Sequence, residues 1–189
     1  MKVLIVGGTS SLGSALKPVL ATSCEVITAG RRGCDITIDL PDDPGKMVFP
    51  KGTDTIIHTA AHFGGKTAAD ILNAERVNVI GTLNVCKAAA DAGAKHFIFI
   101  SSIFSSVKEG HPSYGAYSVS KRHAEEAAHA YCQAASLPLA VLRPSQIYGN
   151  NEGLRRHQPF FYSIIDKAER GEDIELWGTH DAQRNYIHM

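Results

Sequence analysis

Residues 2–13 read Lys2-Val3-Leu4-Ile5-Val6-Gly7-Gly8-Thr9-Ser10-Ser11-Leu12-Gly13 (KVLIVGGTSSLG), and a helical pattern, Ser11–Ala21, continues from them. A β-branched run that leads through a glycine-rich turn into a helix can present backbone N–H groups and the positive end of the helix dipole to a pyrophosphate. Gly7 would allow the tight turn, and Gly13 the close approach of helix and strand. Such a turn alone is a weak signal, so the rest of the chain has to agree with it.

Short β-branched runs alternate with longer alanine-rich helical patterns along the whole chain. The predicted strands are Lys2–Val6, Glu25–Ala29, Asp35–Asp39, Thr55–His58, Lys95–Ser101 and Leu139–Arg143. The predicted helices are Ser11–Ala21, Ala68–Ala92, Tyr114–Ala135 and His157–Arg170. This alternation predicts an α/β fold with a doubly wound parallel sheet that helices cover on both faces.

Two stretches depart from the alternation. Only Gly30–Cys34 separates the second and third predicted strands, whereas a helical crossover needs about a dozen residues. We therefore expect a loop crossover there, or a third strand that starts later than Asp35. The stretch Pro41–Pro50, rich in proline and aspartate, is predicted to be a surface loop.

The composition favours one well-cored globular domain. The 189 residues are 44% hydrophobic and 20% charged, and Lys plus Arg and Asp plus Glu both number 19. Without a basic excess the chain lacks the electrostatic basis for binding nucleic acid or an anionic membrane, so we expect a small-molecule partner. The apolar run after Met1 has only strand length, and no stretch is long enough to span a membrane, which predicts a soluble, cytoplasmic protein.

Cysteine and histidine give no sign of a metal site. The cysteines have no CxxC spacing and are interpreted as buried, reduced thiols; they are Cys24, Cys34, Cys86 and Cys132. The 9 histidines are scattered and form no HExxH pair, so no metal ligands are predicted. His58, flanked by apolar residues, is interpreted as a hydrogen-bonded core histidine rather than a catalyst.

The strongest signal for catalysis is a pair of serines followed by a tyrosine and a lysine. The buried-strand run Phe97–Ile100 ends in two serines, and Tyr117 and Lys121 follow with a spacing of four. Residues four apart on a helix share a face, so Lys121 is predicted to lie one turn from Tyr117 and to lower the pKa of its phenol. Such a tyrosine can exchange a proton with a substrate hydroxyl or carbonyl while Ser102 holds the same oxygen. The alternative is a surface pair on an amphipathic helix.

The order of the motifs resembles that of a known family. After the glycine-rich turn come DTIIHTAA (54–61), NVIGT (78–82), SS (101–102), YSVSK (117–121) and LRPSQIYG (142–149). Together they resemble the extended short-chain dehydrogenases/reductases, a family of NAD(P)-dependent sugar-nucleotide epimerases, dehydratases and reductases. The resemblance covers nearly the whole chain and implies a Rossmann-like fold.

The resemblance also implies two sets of functional residues. The implied catalytic residues are Ser102, Tyr117 and Lys121. The implied cofactor-binding residues are Gly7, Thr9, Ser10, Ser11, Leu12, Gly13, Arg31, Arg32, Asp39, Leu40, Thr59, Ala60, Ala61, Asn78, Ser101, Tyr117, Lys121, Pro144 and Ile147. Two residues depart from the family's TGxxGxxG element: Val6 replaces the threonine and Ser10 the middle glycine. The side chain of Ser10 would narrow the approach to the phosphates unless its hydroxyl donates to one.

The end of the second predicted strand bears on the choice of cofactor. It reads Thr28–Arg32 (TAGRR) and carries no acidic residue that could accept from a ribose 2′-hydroxyl. Arg31 and Arg32 suit a 2′-phosphate, because guanidinium groups donate bidentate hydrogen bonds to phosphate oxygens. NADP is therefore the favoured cofactor, with NAD as the other candidate. An ordinary solvated strand end is the alternative interpretation.

The residues after Ser102 narrow the chemistry within the family. Ile103 and Phe104 stand where the family's dehydratases carry Asp-Glu, and no cysteine follows Ser102 as in the fucose-synthase-like members. Carbonyl reduction on a nucleotide sugar is therefore favoured, while 4-epimerisation stays open because it needs only the same Ser, Tyr and Lys. A homodimer is a further candidate assembly. The alternative from another class is a non-catalytic sensor that binds NAD(P) without turnover.

The last residues bear on the extent of the enzyme. The stretch Arg184–Met189 (RNYIHM) resembles an RxYIHVxD segment that lies well inside extended family members. We therefore expect residues 1–150 to form the NAD(P)-binding domain and residues 151–189 to form an incomplete substrate-binding lobe with a returning strand. Most of the C-terminal substrate lobe would then be missing, and these residues would be competent at best to bind the cofactor.

Overall fold

The computed structural model describes residues 1–150, 152–178 and 184–189. They form two compact units, Met1–Pro144 and Ser145–Met189. The strands are β1 (Lys2–Val6), β2 (Glu25–Gly30), β3 (Ile36–Thr37), β4 (Thr55–His58), β5 (His96–Ile100), β6 (Leu139–Leu142), β7 (Gln146–Tyr148) and β8 (Tyr186–His188). The helices are α1 (Ser11–Leu20), α2 (Ala68–Ala74), α3 (Gly81–Ala92), α4 (Ala116–Ala134), α5 (Glu152–His157) and α6 (Pro159–Glu169).

The first unit is built on a six-stranded sheet in the order β3-β2-β1-β4-β5-β6. Every neighbouring pair is parallel. From β1 the chain first proceeds to β2 and β3 on one side and then crosses to β4, β5 and β6 on the other. The predicted doubly wound parallel sheet is therefore confirmed. The reversal of strand order between β1 and β4 opens a crevice at the carboxyl ends of these strands, which is where such sheets bind ligands.

Side chains that alternate along each strand bury the two faces of the sheet. Leu4 and Val6 point to the face that α3 and α4 cover, while Val3 and Ile5 point to the face on which Leu16 and Leu20 of α1 pack. The side chains of Phe97 and Phe99 are fully buried on the α3/α4 face, where burial of each contributes about 1.5–3 kcal/mol. The helices thus lie on both faces, as the sequence predicts.

The loop crossover between β2 and β3 is also confirmed. β3 has only two residues and starts after Asp35. The carboxylate of Asp35 accepts hydrogen bonds from the backbone N–H and the hydroxyl of Thr28, at 2.8 and 2.7 Å. These bonds lower the pKa of Asp35. The side chain of Asp35 therefore takes the place that the backbone of a longer β3 would occupy at the edge of β2.

Several predictions about local structure were wrong. Met47 and Phe49, within the predicted surface loop, are buried in the core, since the loop folds back through the 3₁₀ turn Pro44–Lys46. Of the four cysteines, Cys24 and Cys34 are only partly buried.

The predicted helices also differ in detail from those observed. The helix predicted over Ala68–Ala92 contains a π-helical turn, Glu75–Ile80, between α2 and α3. The last predicted helix is divided at Gln158, because Pro159 has no N–H to continue α5 and starts α6 instead. None of the helices in the described part of the chain is long and apolar enough to cross a membrane.

The second unit consists of β7, β8, α5 and α6. β7 and β8 pair in parallel, so a returning strand is present. Tyr162 of α6 anchors the unit, because its hydroxyl accepts from the Gly149 N–H and donates to the Gly149 carbonyl, both at 2.9 Å. The Arg155 guanidinium lies 4.9 Å from the centre of the Tyr162 ring.

Candidate active site

The glycine-rich turn connects the end of β1 to α1 at the crevice. Gly7 has a φ of +88°, which side chains with a Cβ rarely adopt. A Cβ there would lie 2.7 Å from the Ala60 nitrogen and from Thr59 Oγ1. A Cβ at Gly13 would overlap the carbonyl oxygen of Gly7. The turn is thus packed against the end of β4 on one side and against α1 on the other.

Ser10, which replaces the family's middle glycine, caps α1. Its Oγ accepts from the Gly13 N–H at 3.0 Å and lies 2.9 Å from Thr59 Oγ1. The Thr59 hydroxyl donates to the carbonyls of Val6 and Gly7 at 2.9 and 3.1 Å, so the Ser10 hydroxyl is the donor to Thr59. Both hydrogen-bonding roles of Ser10 are therefore fulfilled inside the protein, and its predicted contact with a cofactor stays a prediction.

The rest of this turn provides donors for an anion. Ser11 and Leu12 lie in the first turn of α1, where a helix has no internal acceptors for its N–H groups. Thr9 is exposed at the same end. A packed glycine turn, unsatisfied first-turn N–H groups and the helix dipole together fit the diphosphate of a dinucleotide.

The residues predicted to bind the adenosine end lie at the same edge of the sheet. Arg31 and Arg32 are exposed and directly follow β2. Asp39 is exposed, while the side chain of Leu40 is buried in the core. The Asn84 amide fixes this segment by donating to the Leu40 carbonyl at 2.9 Å.

Asn78, in the π-helical turn, is 2% exposed, and both hydrogens of its amide nitrogen are donated in hydrogen bonds. Its amide nitrogen donates to the His62 carbonyl at 2.8 Å and to Ser120 Oγ at 2.9 Å, while its oxygen accepts from the His62 N–H at 2.7 Å. Asn78 therefore fixes the loop after β4 to α4. Its predicted contact with a cofactor stays a prediction.

The predicted catalytic residues lie together at the carboxyl end of β5. Ser102 follows that strand, and its hydroxyl interacts with the phenol of Tyr117 on α4. Lys121, one turn later on α4, is 2% exposed. Its Nζ donates to the Ile100 carbonyl at 2.7 Å and lies 4.5 Å from the centre of the Phe99 ring. Tyr117 and Lys121 are thus a pair on the buried side of α4 and not a surface pair.

The electrostatics of this pair differ from the sequence prediction. Burial raises the pKa of Tyr117, and the Ser102 hydroxyl acts in the opposite direction without reversing the shift. Burial lowers the pKa of Lys121 to about 7. The predicted direction of the Tyr117 pKa shift was wrong, because desolvation of the phenolate dominates and the net shift is upward. Tyr117 is therefore a neutral phenol that can donate a proton.

His58 is a structural residue. Its ring is fully buried and stacks on Phe99 with the ring centres 5.5 Å apart. Thr82 donates its hydrogen to the Asn78 carbonyl at 2.6 Å, so His58 Nε2 carries the proton shared with Thr82 Oγ1 at 3.1 Å. Burial and then the charge of Lys121 lower the pKa of His58 to about 3, so the ring is neutral. Nδ1 has no hydrogen-bond partner among the described residues, which makes the core histidine only half satisfied.

Three residues at the site were not predicted: Phe63, Gly64 and Glu125. The ring of Phe63 stacks on that of Tyr117 with centres 5.2 Å apart, although Phe63 is 56% exposed. Gly64, with φ +75°, lets this loop approach α4 so closely that a Cβ would lie 2.9 Å from the Ala116 Cβ. Glu125, four residues after Lys121, is buried. The helical spacing of Glu125 was the signal that could have identified it.

The last two predicted cofactor residues fall in different units. Pro144 closes the first unit, and its carbonyl accepts from the Ile103 N–H at 3.2 Å. Ile147 belongs to β7 of the second unit. In the described ranges no three His, Cys, Asp or Glu side chains are grouped so as to hold a metal ion.

The chain is similar to enzymes that act on nucleotide sugars. It is 27% identical to UDP-glucose 4-epimerase of Vibrio cholerae, over 98% of this chain and 62% of that enzyme. It is 25% identical to dTDP-4-dehydro-6-deoxy-D-allose reductase of a Streptomyces species, over 72% of this chain and 47% of that enzyme. The chain therefore spans less than two thirds of the length of these relatives.

Solved structures and a family model agree with this placement. MoeE5 in complex with UDP-glucose and NAD superposes with a TM-score of 0.74 at 26% identity, over 100% of this chain and 68% of that one. UDP-N-acetylglucosamine 4-epimerase from Bacillus cereus has the same fold, with a TM-score of 0.79 at 22% identity, over 100% and 69% of the two chains. The model of the NAD dependent epimerase/dehydratase family matches residues 3–189. The chain belongs to the NAD dependent epimerase/dehydratase family.

Proposed function

We propose that the protein is an NAD(P)-dependent oxidoreductase or epimerase that acts on a keto group or hydroxyl of a nucleotide sugar. The observation that carries this proposal is the convergence of Ser102, Tyr117 and Lys121 at the crevice edge onto which the glycine turn also opens. The relatives named above act on UDP and dTDP sugars, which supports this substrate class. Carbonyl reduction and 4-epimerisation both fit the three side chains.

The residues have separate tasks in this proposal. A bound nicotinamide supplies the hydride donor or acceptor. Tyr117, as a neutral phenol, gives its proton to the substrate oxygen as the carbonyl becomes a hydroxyl, and takes a proton back in the reverse direction. Ser102 donates a hydrogen bond to the same oxygen. The Lys121 ammonium stabilises the phenolate that remains on Tyr117.

The surrounding residues fit a dinucleotide in the crevice. Gly7 and Gly13 allow the close packing of the turn, which presents the N–H groups of Ser11 and Leu12 to the diphosphate. We further propose that the unit Ser145–Met189 belongs to the substrate-binding lobe. The free thiols fit a reducing compartment, so we place the enzyme in the cytoplasm.

Ligand-dependent thermal unfolding tests the proposed function. In a form that carries a complete substrate-binding lobe, we expect UDP or dTDP sugars to raise the melting temperature further when NADPH or NADH is present, because a ligand at about 100 times its Kd adds about 2.7 kcal/mol of stability. Free sugars and nucleoside monophosphates are the controls. If nucleotide sugars give no more stabilisation than these controls, the substrate class is wrong. Net consumption of the reduced nicotinamide identifies a reductase, and conversion of one nucleotide sugar into its epimer without net consumption identifies an epimerase. A sensor that only binds should do neither.

A second prediction concerns the cofactor. We expect NADPH to bind more tightly than NADH, because Arg31 and Arg32 are exposed after β2 and no carboxylate accompanies them in Thr28–Arg32. Replacing both arginines with alanine should abolish the preference, a change of about 1–3 kcal/mol for charged hydrogen bonds. Titration of the two reduced cofactors into each protein measures this. The unmodified protein binding NADH as tightly as NADPH would contradict the prediction.

A further inference from the structure

Tyr117, Lys121 and Glu125 are spaced by four on α4 and form one stripe along the helix. The first two have roles in the proposed mechanism, whereas Glu125 has none so far. Glu125 is 5% exposed, and burial of a carboxylate is costly unless it is paired. The burial of the Glu125 carboxylate therefore needs a physical explanation.

The charge of Glu125 is held by hydrogen bonds from Arg143. Arg143 donates from Nε to both carboxylate oxygens, at 3.0 and 3.1 Å, and from Nη2 to one of them. Burial raises the pKa of Glu125, but the hydrogen bonds and the charge of Arg143 act in the opposite direction, and the pKa is lowered overall. Glu125 is therefore a carboxylate at neutral pH.

The two members of this ion pair are screened unequally. The side chain of Arg143 is 55% exposed, whereas that of Glu125 is 6% exposed. Water weakens the field of the guanidinium much more than the field of the carboxylate. The inward side of the pair consequently presents net negative potential to its neighbours on α4.

Lys121 lies in surroundings that otherwise oppose its charge. It is buried against Phe99, and its Nζ donates a hydrogen bond to the Ile100 carbonyl. The titratable groups that face it are Tyr117 and Glu125 on α4 and the neutral His58 on β4. Burial lowers the pKa of Lys121 to about 7, and Glu125 acts in the opposite direction. Among the described residues, Glu125 is the carboxylate that offsets this desolvation.

We propose that Glu125 is a positioning residue that acts through Lys121: its carboxylate, held by Arg143 and shielded from solvent, keeps the Lys121 ammonium charged beside Tyr117. This inference rests on the proposed function, in which that charge stabilises the phenolate of Tyr117. The competing explanation is structural, with the Glu125–Arg143 pair only joining α4 to the segment after β6.

Direct titration of Lys121 separates the two explanations. Lysine labelled with carbon-13 at Cε is incorporated into the whole chain, and the Lys121 signal is assigned by its loss in Lys121→Arg. We expect a midpoint at about 7 in the unmodified protein, and a midpoint lower by about one pH unit or more in Glu125→Gln, since an opposite charge nearby has been removed. Glu125→Asp keeps the charge and should restore most of the shift.

Arg143→Gln is the matched control, because it breaks the same ion pair but leaves the carboxylate. The midpoint of Lys121 should stay the same or rise in this variant. An unchanged midpoint in Glu125→Gln, or an equal fall in both variants, would overturn the proposal. If Glu125→Gln does not fold, Glu125→Asp and Arg143→Gln still decide, because a clear fall in Arg143→Gln points to the structural role.

The titration needs neither cofactor nor substrate. Its outcome is therefore separate from that of the proposed function, which the nucleotide-sugar experiments and the substitution of Tyr117 test. In an active form, loss of the Lys121 charge in Glu125→Gln should also shift the pH profile of turnover toward lower pH, which a purely structural defect would not do.

Discussion

Replacing Tyr117 with phenylalanine is expected to lower turnover of a nucleotide sugar by about 10²–10⁴-fold, the usual contribution of a positioned proton donor. The substitution removes only the phenol oxygen and keeps the ring that stacks on Phe63. Neither Ser102 nor the neutral His58 can replace the lost donor, because a serine hydroxyl is a weak acid and the imidazole is fully buried in the core. Cofactor affinity should stay nearly unchanged, since the oxygen acts on the substrate.

The matched control for this prediction is Tyr114→Phe. Tyr114 lies just before the same helix but is 41% exposed and has Ser118, not a lysine, four residues later. Turnover is compared in whichever form of the protein converts a nucleotide sugar, at saturating cofactor, with cofactor titrations alongside. Near-normal turnover in Tyr117→Phe, or an equal loss in both variants, would remove Tyr117 from the proposed mechanism.

Gly7→Ala is expected to destabilise the protein by about 2–5 kcal/mol, from the strain of a left-handed backbone and from overpacking. The new Cβ would press on the Ala60 nitrogen and on Thr59 Oγ1, and Thr59 in turn holds Ser10 at the start of α1. Backbone atoms cannot move aside as the end of a flexible side chain can. Affinity for the dinucleotide should fall as well, because the same turn shapes the diphosphate site.

Gly93→Ala isolates the packing contribution. Gly93 also has a left-handed φ, +76°, but a Cβ there would meet nothing within 4 Å. Gly93→Ala should therefore lower the free energy of unfolding only by the backbone strain, about 1–2 kcal/mol, and leave cofactor affinity unchanged. Urea unfolding of the two variants measures the difference. Equal destabilisation by both substitutions would show that the contacts at Gly7 add nothing.

The sequence was sufficient for the order of strands and helices in the first unit, because each depends on local patterns, but it did not predict β7 or α5. The β1–turn–α1 unit could be predicted from the run into Gly7 and from the helical pattern after it. The shortness of β3 could be predicted from the short connection before it. The group that pairs with the edge of β2 in place of a longer strand could not be predicted. That group is the Asp35 carboxylate on Thr28, a contact that depends on three-dimensional proximity.

The candidate site was predictable in its residues but not in its electrostatics. The spacing of Tyr117 and Lys121 placed both on one face of α4, whereas the direction of the Tyr117 pKa shift depends on burial, which spacing does not give. Likewise the hydrogen bond of the Ser10 hydroxyl to Thr59 depends on the position of Thr59 in the fold, which the sequence around Ser10 does not give. Phe63 was missed because no local pattern indicates that its ring lies on Tyr117.

The π-helical turn between α2 and α3 has more residues per turn than the α-helices on either side of it. Ala74, Asn78 and Thr82 are buried and spaced by four, yet four residues overshoot one α-helical turn of about 3.6 residues. Over two such steps an α-helix would rotate the third side chain away from the first, and the wider π turn takes up this excess rotation. The slower winding keeps Thr82 within reach of His58 and Asn78 within reach of His62. Strict α-helical winding over Glu75–Ile80 would break the chain of hydrogen bonds that runs from β4 to α4.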